Sequence, residues 1–200
     1  MGSDDEVIFP VEAEKGQEGQ FIVHFHGGFN PMQGVKYIIQ AAYLLKKENI
    51  KFRIIGKGQT YDRDYSRAKK LKLKNIEFVS KIVPYKKLRM YMGESDICLG
   101  IFSTNSKAKI VIPNKAYEAL AMKKPLITRS SSAVKELLTD GVNCLYCQPG
   151  DARDLADKIL TLYHNKKLRD DIAQKGYDLF KEKLTPEILG RELAQYISEI

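Results

Sequence analysis

No stretch of this 200-residue chain reaches the roughly twenty consecutive apolar residues that cross a bilayer, so a membrane-spanning helix is excluded. The opening MGSDDEVIF is acidic where a secretory leader is basic, and no apolar segment follows it. The chain therefore reads as soluble and cytoplasmic. Cysteine is scarce: Cys98, Cys144 and Cys147 are too few for a disulfide framework. The C-x-x-C pair lacks the second pair or spaced histidines of a zinc site, so buried thiols are expected. Neither a Walker loop nor a G-x-G-x-x-G opens the first helix, which argues against ATP hydrolysis and nicotinamide chemistry. Internal repeats and low-complexity tracts are absent as well.

What the chain has is positive charge and strong alternation. Lys and Arg number 33 against 25 Asp and Glu, giving a net charge of +8 and a pI near 9.2. The lysines are scattered rather than massed beside arginines, and no RNA-recognition signature, basic-region heptad or zinc-finger spacing appears, so nucleic acid is not an expected partner. Solvated helix faces account for most of this charge. A basic domain also attracts an anionic small ligand or the surface of an anionic membrane. A hydrophobic fraction of 44% over this length suffices for one sizeable core or at most two small ones.

Residues 1–20 carry no sustained period and read as a linker or tail, leaving 21–200 as the domain. From residue 21 the apolar pattern switches between short continuous runs and helical spacing. FIVHFH (21–26), KFRIIG (51–56), NIEFV (75–79), DICLGIF (96–102), PLIT (125–128) and NCLYC (143–147) predict strands. Between them, helices are predicted over 35–45, 61–72, 85–93, about 113–122 and 133–138. Pro113 suits the first turn of its helix, where a missing N–H costs nothing. Asp151 is the expected N-cap of the next helix, and two more follow around 166–182 and 186–199. Continuously apolar strands alternating with helices imply a parallel sheet covered on both faces, a doubly wound Rossmann-like α/β domain.

In such a sheet, ligands lie beyond the carboxyl ends of the strands. The loops there read HGGFNPMQG, GKGQTY, SKIVPY, STNSKAKIVIPNK and RSSSA, and several can offer backbone N–H groups and positive charge to a phosphate. His24 and His26 share one face of the first strand. His24 reads as a core histidine, whereas His26, at the strand end, is placed to bond a sugar or phosphate; no third ligand completes a His-x-His metal site. Among Ser130, Ser131 and Ser132 a helix cap is expected, with phosphate binding as the other use.

Several motifs fall in one order. GGFNPMQGV opens the first loop and IIGKG the second; IPNKAYEALAMKKPLIT and DGVNCLYCQPGDARDLADKI follow. Over residues 21–183 this order resembles the C-terminal, donor-binding domain of retaining GT-B glycosyltransferases, of the glycosyl transferases group one or family four type. The resemblance implies one half of a two-domain enzyme that passes a sugar from a UDP- or GDP-linked donor to an acceptor hydroxyl. The acceptor-binding N-terminal domain would be a partner outside this chain, and 1–20 would correspond to the interdomain linker. It further implies no cofactor and no metal, little or no transfer by this domain alone, and peripheral membrane association as an option for the whole enzyme. Half of a nucleotide-sugar 2-epimerase and a non-catalytic nucleotide-sugar-binding module are the alternatives.

Carried over by position, the resemblance places Glu118 against the ribose hydroxyls, work that suits an acceptor-only carboxylate. Without it, Glu118 would read as an acidic residue stabilising the early turns of a helix. Gly27, Gly28, Lys57, Lys107, Lys109, Asn114, Lys115 and Glu118 form the expected donor site, with His26, Gln33 and Ser130 as further members; no catalytic residue stands out. This sequence also departs from the pattern. Ile110 stands where the family has its first glutamate, and Gly28 and Gln33 stand where it has its diphosphate-binding arginine and lysine. Compensating charge must come from Lys57, Lys107, Lys109 or Lys115, or from the N–H groups opening the helix at 113. The resemblance places the base near Ser80–Tyr85, in the loop after the third predicted strand.

Overall fold

Six apolar runs pair side by side in the computed structural model, which describes residues 3–12 and 19–199. They are β1 (Phe21–His26), β2 (Ile50–Ile55), β3 (Ile76–Val79), β4 (Ile97–Leu99), β5 (Leu126–Arg129) and β6 (Leu145–Cys147). All pair in parallel, in the order β3-β2-β1-β4-β5-β6, so the direction of winding reverses between β1 and β4. Each crossover carries a helix, from α1 (Val35–Leu44) through α2 (Tyr61–Lys70), α3 (Tyr85–Gly93), α4 (Asn114–Ala121) and α5 (Ser132–Leu137). Then α6 (Ala152–His164), α7 (Lys166–Lys183) and α8 (Pro186–Ser198) close the chain.

Because both faces of the sheet are covered, the strand residues feed two cores. Val23 and Phe25 pack with α1 and α6, whereas Cys98 and Leu126 pack with α3, α4 and Phe180 of α7. The three cysteines are free and buried, and burial raises the thiol pKa of each. Among the described residues no helix is long and apolar enough to cross a membrane.

Three local differences from the sequence reading have plain causes. The run 96–102 is a strand only over Ile97–Leu99; bonds to β5 continue through Gly100 N–H and Ile101 O, and then the Phe102 N–H leaves the ladder and donates to Gln33 O in the loop after β1. Pro113 caps α4 from an extended backbone (φ −71°, ψ 146°) instead of occupying its first turn. A short 3-10 turn, Ser106–Lys109, precedes it, with the Asn105 side chain accepting from Lys107 N–H.

Of the segment read as a tail, residues 1–2 and 13–18 lie outside the described residues. Residues 3–12 form neither helix nor strand, yet Ile8 is buried and Arg89 donates to Val7 O at 3.2 Å. Asp151 caps α6 as expected, accepting from Arg153 N–H and Asp154 N–H at 2.9 and 3.0 Å. Replacing it with alanine orphans both donors and is expected to cost about 1 kcal/mol. For a domain of this size that is a fall in melting temperature of roughly 2–4 °C, read by calorimetry.

Candidate functional site

Two glycine loops meet at the carboxyl edge of the sheet. Gly27 continues β1 with its N–H on Ile55 O, and Gly56 continues β2 with its N–H on Val79 O. Both sit at positive φ, +144° and +132°, and a Cβ on Gly56 would overlap the carbonyl oxygen of Gly27. Backbone therefore packs directly on backbone, which only glycine permits. The Phe29 N–H, donating to Lys57 O at 3.0 Å, ties the loops together further on.

Beyond them opens a cleft of about 610 Å³, lined by His26, Gly27, Gly28, Lys57 and Gly58 on one side and Ser80–Val83 on the other. Ile82 is 97% exposed at its rim. Two larger hollows occur elsewhere, about 740 Å³ between α1 and α2 and about 810 Å³ between residues 4–6 and the start of α8. Neither adjoins the strand ends. The cleft at the glycine loops adjoins, through His26, a chain of polar side chains buried behind it, and polar groups placed in that way mark a ligand site better than size does.

Those side chains form a chain. Glu118, on α4, is 8% exposed, and its Oε2 lies 2.6 Å from His26 Nε2; His26 Nδ1 lies 2.9 Å from His24 Nε2. Burial, the largest cause, lowers the pKa of both histidines, and the bond to Glu118 only partly offsets it for His26. Both are thus neutral at pH 7. The network then assigns one tautomer to each: His24 Nε2–H donates to His26, and His26 Nε2–H donates to Glu118. His24 Nδ1 is left buried without a hydrogen-bond partner, the acceptor end of the chain.

Lys115, one helical turn before Glu118, is equally enclosed. Its ammonium donates to Gln33 Oε1, lies 4.0 Å from the centre of the Phe25 ring, and would stand 2.7 Å from a Cβ on Gly27. Burial pulls its pKa down to about 7, against a smaller upward pull from Glu118.

The expected site residues thus divide. His26, Gly27, Gly28 and Lys57 line the cleft; Glu118 is bonded to His26, and Lys115, bonded to Gln33, lies against Gly27, these three outside the lining residues. Asn114 is exposed at the N-terminus of α4. Lys107 and Lys109 are exposed on the 3-10 turn, outside the residues that line the cleft, and Ile110 beside them is 73% exposed. Ser131 rather than Ser130 caps α5, accepting from Val134 N–H at 3.2 Å. The sequence did not disclose the pairing of His26 with Glu118 or of Gln33 with Lys115. The only trace of either was that His26 and Glu118 both fall at the carboxyl edge. Among the described residues no group of three or more His, Cys, Asp or Glu is arranged to hold a metal.

Comparison with known proteins agrees with the geometry. An uncharacterized glycosyltransferase of Methanocaldococcus jannaschii is 26% identical over 165 residues, covering 79% of this chain and 42% of its own. The chain thus spans about two-fifths of that relative. The C-terminal domain of a glycosyl transferase group 1 family protein from Francisella tularensis superposes with a TM-score of 0.78 at 24% identity. That match covers 92% of this chain and all of that domain. HepE of Anabaena, solved with UDP-glucose, superposes with a TM-score of 0.85 at 18% identity, over all of this chain and 56% of its own. Both likenesses establish the fold, one half of the GT-B plan. The profile of the family described as glycosyl transferases group 1 matches residues 9–179, and the chain belongs to that family.

Proposed function

We propose that this chain is the donor-binding domain of a retaining glycosyltransferase, holding a UDP- or GDP-linked sugar while a second domain presents the acceptor hydroxyl. The observation that carries the reading is Glu118. Its carboxylate sits at the carboxyl edge of the sheet, fixed through one oxygen by His26, while the other accepts no hydrogen bond among the described residues. A fixed carboxylate with a spare oxygen suits the paired hydroxyls of a ribose. The glycine loops bring backbone close to a ligand, and the first turn of α4 offers free N–H groups to its phosphates. In this reading Lys57, Lys107, Lys109, Asn114 and Lys115 supply charge or donors, and Gln33 and Ser130 complete the set.

The solved complex of HepE with UDP-glucose supports UDP as the first ligand to try. A retained anomeric configuration and a hexosyl donor belong to this reading, as does a cytoplasmic site of action. Since the acceptor half lies outside the domain, the chain alone should transfer little sugar; robust turnover by it would overturn this part of the reading. Calorimetric titration with UDP, GDP and their sugar conjugates checks the rest. One nucleotide is expected to bind, and Glu118→Ala should weaken it by about 1–3 kcal/mol, the usual cost of losing a charged acceptor. A folded wild type that binds none of them would leave a non-catalytic module without nucleotide affinity.

A further inference from the structure

We propose that Lys115 is a cation held in reserve, which leaves Gln33 on ligand binding and meets the diphosphate with uptake of a proton. The proposal rests on the donor-binding reading above and deepens it. An ammonium has three N–H donors and no acceptor, and in water all three are satisfied. Here Lys115 is 6% exposed, and its hydrogen-bond acceptor is a neutral amide oxygen of Gln33. No carboxylate lies within ion-pair distance among the described residues; the groups facing it are Phe25, His24 and His26 from β1, Gln33 from the loop, and Glu118 from its own helix. An ammonium buried without a counter-charge is costly, so the neutral amine is favoured until an anion arrives to pair with it.

Its position says where that something comes from. The ammonium lies against Gly27, which lines the cleft and carries no side chain to separate the two. Lys115 is also the second residue of α4, so its charge adds to the positive end of that helix. An anion entering over the glycine loop would find the ammonium, the helix end and the Gly27 backbone together. A lysine kept only to tie α4 to the loop would need just its bond to Gln33.

The proton follows from the same burial. With a pKa near 7, Lys115 is mostly neutral at pH 8 in the empty site. A neighbouring anion favours the charged form, so about one proton is taken up as the diphosphate arrives. His24 and His26 are neutral at that pH in the empty site.

The test is calorimetry at pH 8 with UDP and with uridine, each in two buffers of different ionisation enthalpy. UDP is expected to take up about one proton and uridine none. Lys115→Met should abolish the uptake and weaken UDP roughly tenfold or more while leaving uridine unchanged. Equal proton counts for UDP and uridine with wild-type protein would overturn the proposal without recourse to any variant. UDP binding by Lys115→Met with wild-type affinity would overturn it too. A folded wild type that binds uridine and UDP equally well removes Lys115 alone from the account, whereas one that binds neither removes the donor-binding reading and this proposal together.

Discussion

Gly56→Ala is expected to destabilise the domain by about 3–5 kcal/mol, the sum of a strained positive φ and a steric overlap. At φ +132° an L side chain is already disfavoured, and here the added carbon falls on the Gly27 carbonyl oxygen. That oxygen cannot move alone. Gly27 N–H is bonded to Ile55 O and its neighbour His26 to Glu118, so relief requires separating the ends of β1 and β2. The expected fall in melting temperature is roughly 10 °C. Gly28→Ala is the control, since its added carbon would meet nothing closer than Asn30 Nδ2 at 3.8 Å. Urea unfolding decides the matter. If Gly56→Ala lay within about 1 kcal/mol of Gly28→Ala, the two loops would have slack that the packing denies.

Acid should unfold the protein earlier than carboxylate titration alone would bring about. His24 and His26 have folded pKa values below their ordinary 6.5, by burial first. Between the folded and unfolded values the unfolded chain binds more protons, so stability is lost as the pH falls below about 6.5. Each histidine contributes up to about 1.4 kcal/mol per pH unit until its folded pKa is reached. His24→Leu should remove one contribution and flatten the rise of unfolding free energy with pH just below about 6.5. An unchanged slope would mean that His24 already carries its proton in the folded state. On the alkaline side the sign is the same: Lys115, held near 7 against an ordinary 10.5, makes stability rise as the pH climbs from about 7.

The architecture was legible because parallel strands buried on both faces are written as continuous apolar runs. FIVHFH became β1 without an error at either end, and Asp151 announced its cap by chemistry alone. Legibility failed where a backbone group left its ladder, as at Phe102, since nothing in DICLGIF records that its last amide bonds to Gln33. The site was half legible. Glycines, lysines and Glu118 could be placed at the carboxyl edge one at a time, but hydrogen bonds between residues 92 and 82 positions apart leave no mark in a local pattern. The lysine missing from position 33 illustrates this. Reading along the chain finds glutamine there, whereas the folded chain brings an ammonium to that glutamine from the opposite element.

The reversal of strand order between β1 and β4 also bears on how the protein folds. The elements that bring Glu118 to His26, α4 and β1, touch only after a long loop has closed, and the entropy of closing it slows the formation of such contacts. Until then Glu118 has not reached His26, and the site lacks its carboxylate. A molecule that binds the finished cleft therefore leaves the folding rate as it was and acts by slowing escape from the native state. Its presence in the cell would lengthen the protein's life without helping a newborn chain to find its shape.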